Sequence, residues 1–249
     1  MLEHRCDLLR SLHVPGTPLV LPNAWDVASA KAVVAAGFPV VATTSGGVAA
    51  TLGYEDHEGA PADEMLAAAA RIAKAVDVPI TVDAESGYGM APAELVDALF
   101  DVGAAGCNLE DTDHTTGLLA DTARHAERLA AVRDAAVARD YGLVINARID
   151  VFIAARGAPQ RDLLDQAVTR ARAYRTAGVD CVFPIFLYEA DVVGAFVRAV
   201  QAPVNVLAVP QAPPTPRLAE LGVARISYGS SIQRRAMHEL TDFLAGLPR

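Results

Sequence analysis

This chain is short of cysteine, of basic clusters and of long apolar runs, and each shortage closes off a class of function. Its three cysteines, Cys6, Cys107 and Cys181, are too few for a disulfide framework and have no zinc-ligand spacing. A reducing, cytoplasmic setting is the expectation, with Cys107 a small buried hydrophobe inside a strand. The net charge is -9, and no stretch of Lys and Arg is dense enough to make a basic face. Arg124, Arg128 and Arg133 fall among acids and read as a solvated helix face, so no nucleic-acid partner is expected. No run of eighteen apolar residues occurs, and the opening MLEHRCDLLR has no apolar core. Neither a membrane span nor a leader is therefore expected.

What the chain does have is a repeated alternation. Hydrophobic residues make up 52% of its 249 residues, enough to bury a large core rather than stay disordered. Short β-branched runs recur at 19–24, 39–44, 79–83, 106–110, 143–148, 180–185, 203–208 and 224–228. Alanine-rich stretches with helical spacing lie between them, at 26–36, 62–76, 91–102, 121–139, 160–177, 190–199 and 215–221, and a last one follows at 231–245. Several end in glycine just before the next strand, a C-cap stop. Eight strand–helix units over this length predict an α/β fold of one kind, a single (β/α)8 TIM barrel spanning 1–249 as one domain. A doubly wound open sheet is the competitor, but it would leave two edges exposed.

In such a barrel, function sits at the C-terminal ends of the strands, and here those ends are polar. Asp83 and Glu85 stand two residues apart, which on an extended strand points both side chains the same way. Glu110 closes the next strand and can converge on them. Three neighbouring carboxylates repel unless protons or a cation compensate, and all-oxygen donors suit a hard ion, Mg2+ or Mn2+. Asp56, in a long loop over 47–61 that also carries Tyr54 and His57, can reach such an ion through water. Arg148 can grip a substrate carboxylate or phosphonate, or pair with Glu85 or Glu110. Ser45, Gly46 and Gly47 offer bare backbone N–H groups and a hydroxyl to an anion, or simply a permissive turn. Asn205, closing the seventh strand, is a further candidate for substrate binding. Residues 111–120 form an exposed connection suited to a lid, and His114 within it is the histidine nearest the carboxylates.

Four blocks carry a family likeness: TTSGGVAATLGYED (43–56), TVDAESGYG (81–89), GAAGCNLED (103–111) and INARID (145–150). With weaker agreement at 172–184 and 218–229, the chain resembles the isocitrate lyase / phosphoenolpyruvate mutase superfamily. The resemblance implies a Mg2+-dependent enzyme acting on a small-molecule 2-oxo acid or its enolate. It implies that Ser45, Gly46 and Gly47 hold the oxo-acid carboxylate, that Asp56, Asp83, Glu85 and Glu110 surround the ion, and that Arg148 faces the ligand. It also implies a homo-oligomer, dimer or tetramer, with the C-terminal helix 231–245 exchanged between subunits.

The departures concern the reaction. The Lys-Lys-Cys-Gly-His block of the carbon–carbon lyases is replaced by TDHTTG (112–117), the asparagine-containing lid of the mutases is absent, and Ile185 follows the sixth strand where relatives often place Glu or His. The reading favoured here is a lyase cleaving or forming a C–C bond beside an enolate, of the isocitrate lyase, methylisocitrate lyase or oxaloacetate decarboxylase kind. The alternative is P–C chemistry, as in phosphoenolpyruvate mutase or phosphonopyruvate hydrolase, and a third is a non-catalytic oxo-acid binder. Candidate proton carriers are His114, Tyr54 and Asp56.

Overall fold

The computed structural model describes residues 2–248; Met1 and Arg249, the two ends of the expected domain, lie outside the described residues. The chain runs α1 (Leu2–Ser11), β1 (Leu19–Leu21), β2 (Asn23–Ala24), α2 (Val27–Ala35), β3 (Val41–Thr43), α3 (Ser45–Leu52), α4 (Ala62–Ala75), β4 (Ile80–Asp83), α5 (Pro92–Val102) and β5 (Gly106–Glu110). A hairpin of β6 (Thr112–Asp113) and β7 (Leu118–Leu119) follows. Then come α6 (Thr122–Ala138), β8 (Val144–Ile149), α7 (Val151–Ala154), α8 (Gln160–Thr176), β9 (Cys181–Pro184) and α9 (Ala190–Val200). The chain closes with β10 (Asn205–Leu207), α10 (Thr215–Glu220), β11 (Arg225–Ser227) and α11 (Ser231–Ala245).

The result is an α/β fold with a central parallel sheet flanked by helices. One sheet has the order β2-β3-β4-β5-β8-β9 and the other β1-β11-β10. The segment 19–24 contributes to both, β1 to one and β2 to the other. At their far edges a parallel bridge joins Val182 to Val204, and the Val182 N–H donates to Pro203 O at 3.0 Å. Among the described residues no helix is long and apolar enough to cross a membrane.

Local sequence explains the elements. In α5, Pro92 sits at the first turn, where its missing N–H costs nothing, and Leu95, Val96, Leu99 and Val102 form one buried stripe. Gly103 ends that helix in the left-handed region at φ 80°, its N–H capping Phe100 O. Residues 2–11 form a helix that the charged opening did not announce. Cys6 and Leu9 bury its inner face, and Arg10 donates to Asp180 Oδ1 at 2.8 Å and Gly142 O at 2.8 Å, fixing it across the strands.

Strand register sets the site. Asp83 pairs with Asn108, which pairs with Asn146, and one pleat above them Glu110 pairs with Arg148, which pairs with Phe183. Because side chains alternate along a strand, these rows share a face while Ile145, Ala147 and Ile149 face the helices. Two local expectations change. Ser45–Leu52 is helical, so the connection before α4 begins at residue 53, not 47; Val48 and Ala49 pack with Ala60 and Met65 and outweigh the two glycines. Glu85 lies beyond the end of β4 with φ 49°, so a left-handed turn, not strand alternation, aims it inward.

Candidate active site

At the C-terminal ends of the strands lies a cavity of about 330 Å³. Its polar wall presents Ser45, Asp56, Asp83, Glu85, Glu110 and Arg148. Another wall is apolar: Phe183 in β9, Ile185 just beyond it and Leu207 at the end of β10 cluster together, with Ile153 and Val209 packed on them.

The first turn of α3 faces the polar wall. The Ser45 N–H donates to Asp83 Oδ2 at 3.1 Å, and the Asp83 N–H donates to Thr43 Oγ1 at 2.9 Å. A β-carbon on Gly46 would stand 2.6 Å from Asp56 Oδ2 and 2.9 Å from Ser230 Oγ, so only glycine lets the helix start approach this closely. Opposite it, Asn23 Oδ1 accepts from the Tyr228 and Gly229 N–H groups at 2.8 and 2.9 Å, and Thr44 and Ser230 hydroxyls meet at 2.8 Å. The eighth-strand loop is thereby pinned beside the α3 N-terminus, where helix dipole and free N–H groups favour an anion.

Arg148 is already paired. It bridges Glu110 Oε2 and grips Asp150 in bidentate fashion, Nε to Oδ1 at 2.7 Å and Nη2 to Oδ2 at 2.9 Å. Of the sequence alternatives for this arginine, pairing with Glu110 is present, and the residue still lines the cavity. Behind it, the Asp150 N–H donates to Asp111 Oδ1 at 2.8 Å, and Asp111 Oδ2 accepts from Arg170 Nη1 at 2.9 Å and Tyr174 OH at 2.7 Å. Arg170 also donates to Ala120 O at 2.9 Å, so the same buried pair anchors the base of the 112–119 hairpin.

Burial and neighbouring charge raise two of the carboxylates, Glu85 and Glu110. Burial is the largest cause pushing Glu85 up to about 8, with Asp83, Asp56 and Glu110 adding to it against the Glu58 backbone N–H. Glu110 is also raised by burial, and Arg148 and His114 hold it back. Without a cation Glu85 and Glu110 hold their protons more tightly than ordinary carboxylates; a cation would relieve that. His57, Glu110 and His114 each bring a donor atom within 4.8 Å of the others, a candidate divalent-cation cluster. Asp83, Glu85 and Asp56 stand in the same cavity, so the oxygen donors also fit a hard ion.

The remaining sequence candidates fall elsewhere. Tyr54 is off the cavity, its hydroxyl donating to Glu64 at 2.9 Å. Asn205 lies fully buried below the cavity, accepting from Ser227 Oγ at 3.3 Å. His114 stands behind Glu110 rather than on the cavity lining. Sequence reasoning missed the Asp111–Arg170–Tyr174 brace, whose only trace was two polar residues one turn apart on an otherwise ordinary helix. It also missed Phe183 and Leu207 as a wall, since they read as core.

Comparisons with known proteins give the family. The family model described as phosphoenolpyruvate phosphomutase matches residues 9–247. A crystal structure of a Burkholderia cenocepacia J2315 protein assigned as a phosphonomutase is 42% identical, with TM-score 0.92, covering 97% of this chain and 99% of that one. The Mycobacterium tuberculosis protein Rv1998c is 36% identical over 219 residues, 88% of this chain and 80% of its own length. An oxaloacetate decarboxylase from Rhodopseudomonas palustris is 30% identical over 257 residues, 96% of this chain and 86% of its own.

Proposed function

This chain belongs to the phosphoenolpyruvate mutase / isocitrate lyase superfamily as a metal-binding enzyme, and from that premise we propose that it makes or breaks a bond to C3 of a pyruvyl enolate. The observation that carries this reading is the meeting of the α3 N-terminus with Asp83, Glu85 and Glu110 in one cavity. We assign the oxo-acid carboxylate to the N–H groups of Gly46 and Gly47 and the Ser45 hydroxyl, beside Ser230, the Ser45 N–H being engaged by Asp83. Asp83, Glu85 and Glu110, with Asp56 through water, are the residues that would hold Mg2+ or Mn2+. A cation there supplies electrostatic stabilisation of the charge that develops on the C2 oxygen. When the C3 bond of a 2-oxo acid such as oxaloacetate or phosphonopyruvate breaks, its electron pair enters the pyruvyl enolate. A retro-aldol substrate such as 2-methylisocitrate instead loses its hydroxyl proton to a base, forms the pyruvyl carbonyl at C2, and leaves the pair on the carbon beside the departing fragment's carboxylate. Arg148, held rigid by Asp150, orients the departing or arriving group. Asp56 is the proton carrier among the three candidates, since it alone lines the cavity.

The comparisons weigh toward a P–C bond, because the matching family model is that of phosphoenolpyruvate phosphomutase and the relative at 42% identity is assigned as a phosphonomutase. That was the alternative in the sequence reading. A carbon fragment is supported by the apolar wall of Phe183, Ile185 and Leu207 and by the decarboxylase relative, whereas Arg156 and Arg234, which line the same cavity, offer donors to a phosphoryl group. The test is incubation of the purified protein with Mg2+ and either phosphonopyruvate, followed by phosphorus NMR, or oxaloacetate and 2-methylisocitrate, followed by release of pyruvate. Turnover of phosphonopyruvate alone selects the P–C reading, and turnover of a carbon acid alone selects the other. No turnover of any of them, together with no Mg2+-dependent binding of oxalate, sinks both.

The fold reading extends the same way. We take the shared segment 19–24 and the Val182–Val204 bridge as the two seams of one closed barrel in a single domain. Helix α11 has no buried residue and leaves Met237, Leu240, Phe243 and Leu244 exposed. An apolar groove lined by Trp25, Val48, Leu52 and Ala68 lies open nearby. Exchange of α11 between copies of the chain would cover both, and it predicts an oligomer by light scattering that truncation before residue 231 abolishes.

A further inference from the structure

Beside the carboxylate wall stand two imidazoles for which the reaction proposed above has no task. His114 Nε2 comes within 2.6 Å of Glu110 Oε1. The two atoms form a close buried ionic contact that is out of line for a hydrogen bond, and neither has a hydrogen-bond partner among the described residues. The His57 ring lies 5.5 Å from the His114 ring, centroid to centroid. One donor atom from each of His57, Glu110 and His114 lies within 4.8 Å of the other two. Ligands of a tetrahedral ion stand roughly 3.4 Å apart when each bond is about 2.1 Å. Rotation of the exposed His57 ring closes the wider gap, while the His114–Glu110 contact, at 2.6 Å, has to open as the ion enters between them.

The backbone at His57 is an independent sign that the position is built. His57 and Glu58 are consecutive non-glycine residues in the left-handed region, at φ 67° and 57°, a conformation that side chains with a β-carbon disfavour. Glu58 locks it. Its N–H donates to Glu85 Oε2 at 2.5 Å, and its Oε1 accepts from the Ser86 N–H and hydroxyl at 3.2 and 2.5 Å and from the Tyr88 N–H at 2.8 Å. That turn aims His57 over the cavity, toward Glu110.

We propose that His57, Glu110 and His114 form a second cation site, sharing Glu110 with the first, that takes a borderline transition ion such as Zn2+, Co2+ or Mn2+ in preference to Mg2+. Imidazole nitrogen favours those ions, whereas Mg2+ keeps to oxygen and water. The proposal rests on the reading of Glu110 as a cation ligand given above.

The experiment uses metal-free protein. It is titrated with Co2+ by visible absorption, and separately with Mg2+ plus oxalate by calorimetry. Co2+ is expected to bind the wild type at least tenfold more tightly than it binds His57→Ala or His114→Gln, with the Mg2+–oxalate affinity of His57→Ala, which does not touch Glu110, within twofold of wild type. Equal Co2+ affinity in wild type and variants, as adventitious binding at the surface histidines His4 and His238 would give, overturns the second site and leaves the first standing. Absence of Mg2+–oxalate binding in the wild type overturns the reading on which it rests. Should His114→Gln fail to fold, His57→Ala, an exposed loop position, decides the matter alone.

Discussion

The two walls of the cavity are built at very different expense. On the side of β4 and β5, each buried charge needs a partner behind it: Glu110 leans on Arg148, Arg148 on Asp150, Asp150 on Asp111, and Asp111 on Arg170 and Tyr174. A buried charge is tolerated only when paired and hydrogen-bonded, so one altered residue unsettles the whole row. On the side of β9 and β10, Phe183, Ile185 and Leu207 pack on each other without any such chain. There a substitution changes shape or polarity locally. The polar wall is therefore suited to the chemical step that all substrates share, and the apolar wall to choosing among them.

The comparison breaks most visibly at Asp83. Asp83→Ala removes a carboxylate from the polar wall and the acceptor of the Ser45 N–H. A loss of about 10³-fold in kcat/KM is expected, the scale of losing one preorganised electrostatic group. Steady-state kinetics and Mn2+ binding are the measurements, and retention of both would move the cation site away from this wall.

Next in size is the brace beneath it. Arg170→Met leaves Asp111 buried and unpaired, an expected loss of about 3–5 kcal/mol of stability. On the apolar wall, Leu207→Ala creates a cavity, with an expected loss of about 2–4 kcal/mol. Denaturant unfolding of the two variants ranks them, and a milder effect at Arg170 would show that the polar wall does not depend on its brace.

Much of this division was legible in the sequence, and the illegible part has a physical cause. Asp83, Glu85 and Glu110 stood out because carboxylates at the ends of β-branched runs contradict burial. Glu85 reached the cavity by a route that strand alternation could not give, a left-handed turn that depends on Glu58 from another loop. Ser45–Leu52 read as loop because its glycines and threonine lower helix propensity, while the packing of Val48 and Ala49 that overrides them is long-range. Arg170 was silent for the same reason, since its partner Asp111 is 59 positions away in sequence. The apolar wall was silent because a side chain lining a cavity and one filling a core have the same composition.

Acid and alkali separate two buried histidines, of which His125 packs against Tyr174 of the brace, from the site carboxylate Glu85. Burial lowers His13 and His125 to about 4 from the ordinary 6.5. Between those values the unfolded chain binds protons that the folded one refuses, so stability falls as pH drops from about 6.5 to about 4. The cost is on the order of 3 kcal/mol per histidine. Glu85 does the reverse in cation-free protein. Raised from 4.5 to about 8, it keeps its proton when folded and loses it when unfolded, so stability falls as pH rises across that window. Thermal unfolding against pH in chelator checks both slopes. His13→Asn flattens the acid side only, Glu85→Gln the alkaline side only, and the two variants exchanging effects would contradict the assignment.

The smallest expected effect is the most informative about substrate. Ile185→Ser removes alkyl surface from the apolar wall and adds a hydroxyl, leaving the brace and the carboxylates untouched. Burial of each methylene is worth about 0.8 kcal/mol, and pocket changes of this size shift selectivity by roughly 10–200-fold. A substrate with an alkyl group at C3 is expected to lose kcat/KM in that range, while phosphonopyruvate and oxaloacetate lose little, and Mg2+–oxalate affinity stays at the wild-type value. Parallel kinetics on the three substrates read the ratio. An equal fall for all three would mean that Ile185 supports the cavity without selecting what enters it, and choice among fragments would then revert to Arg148 on the polar side.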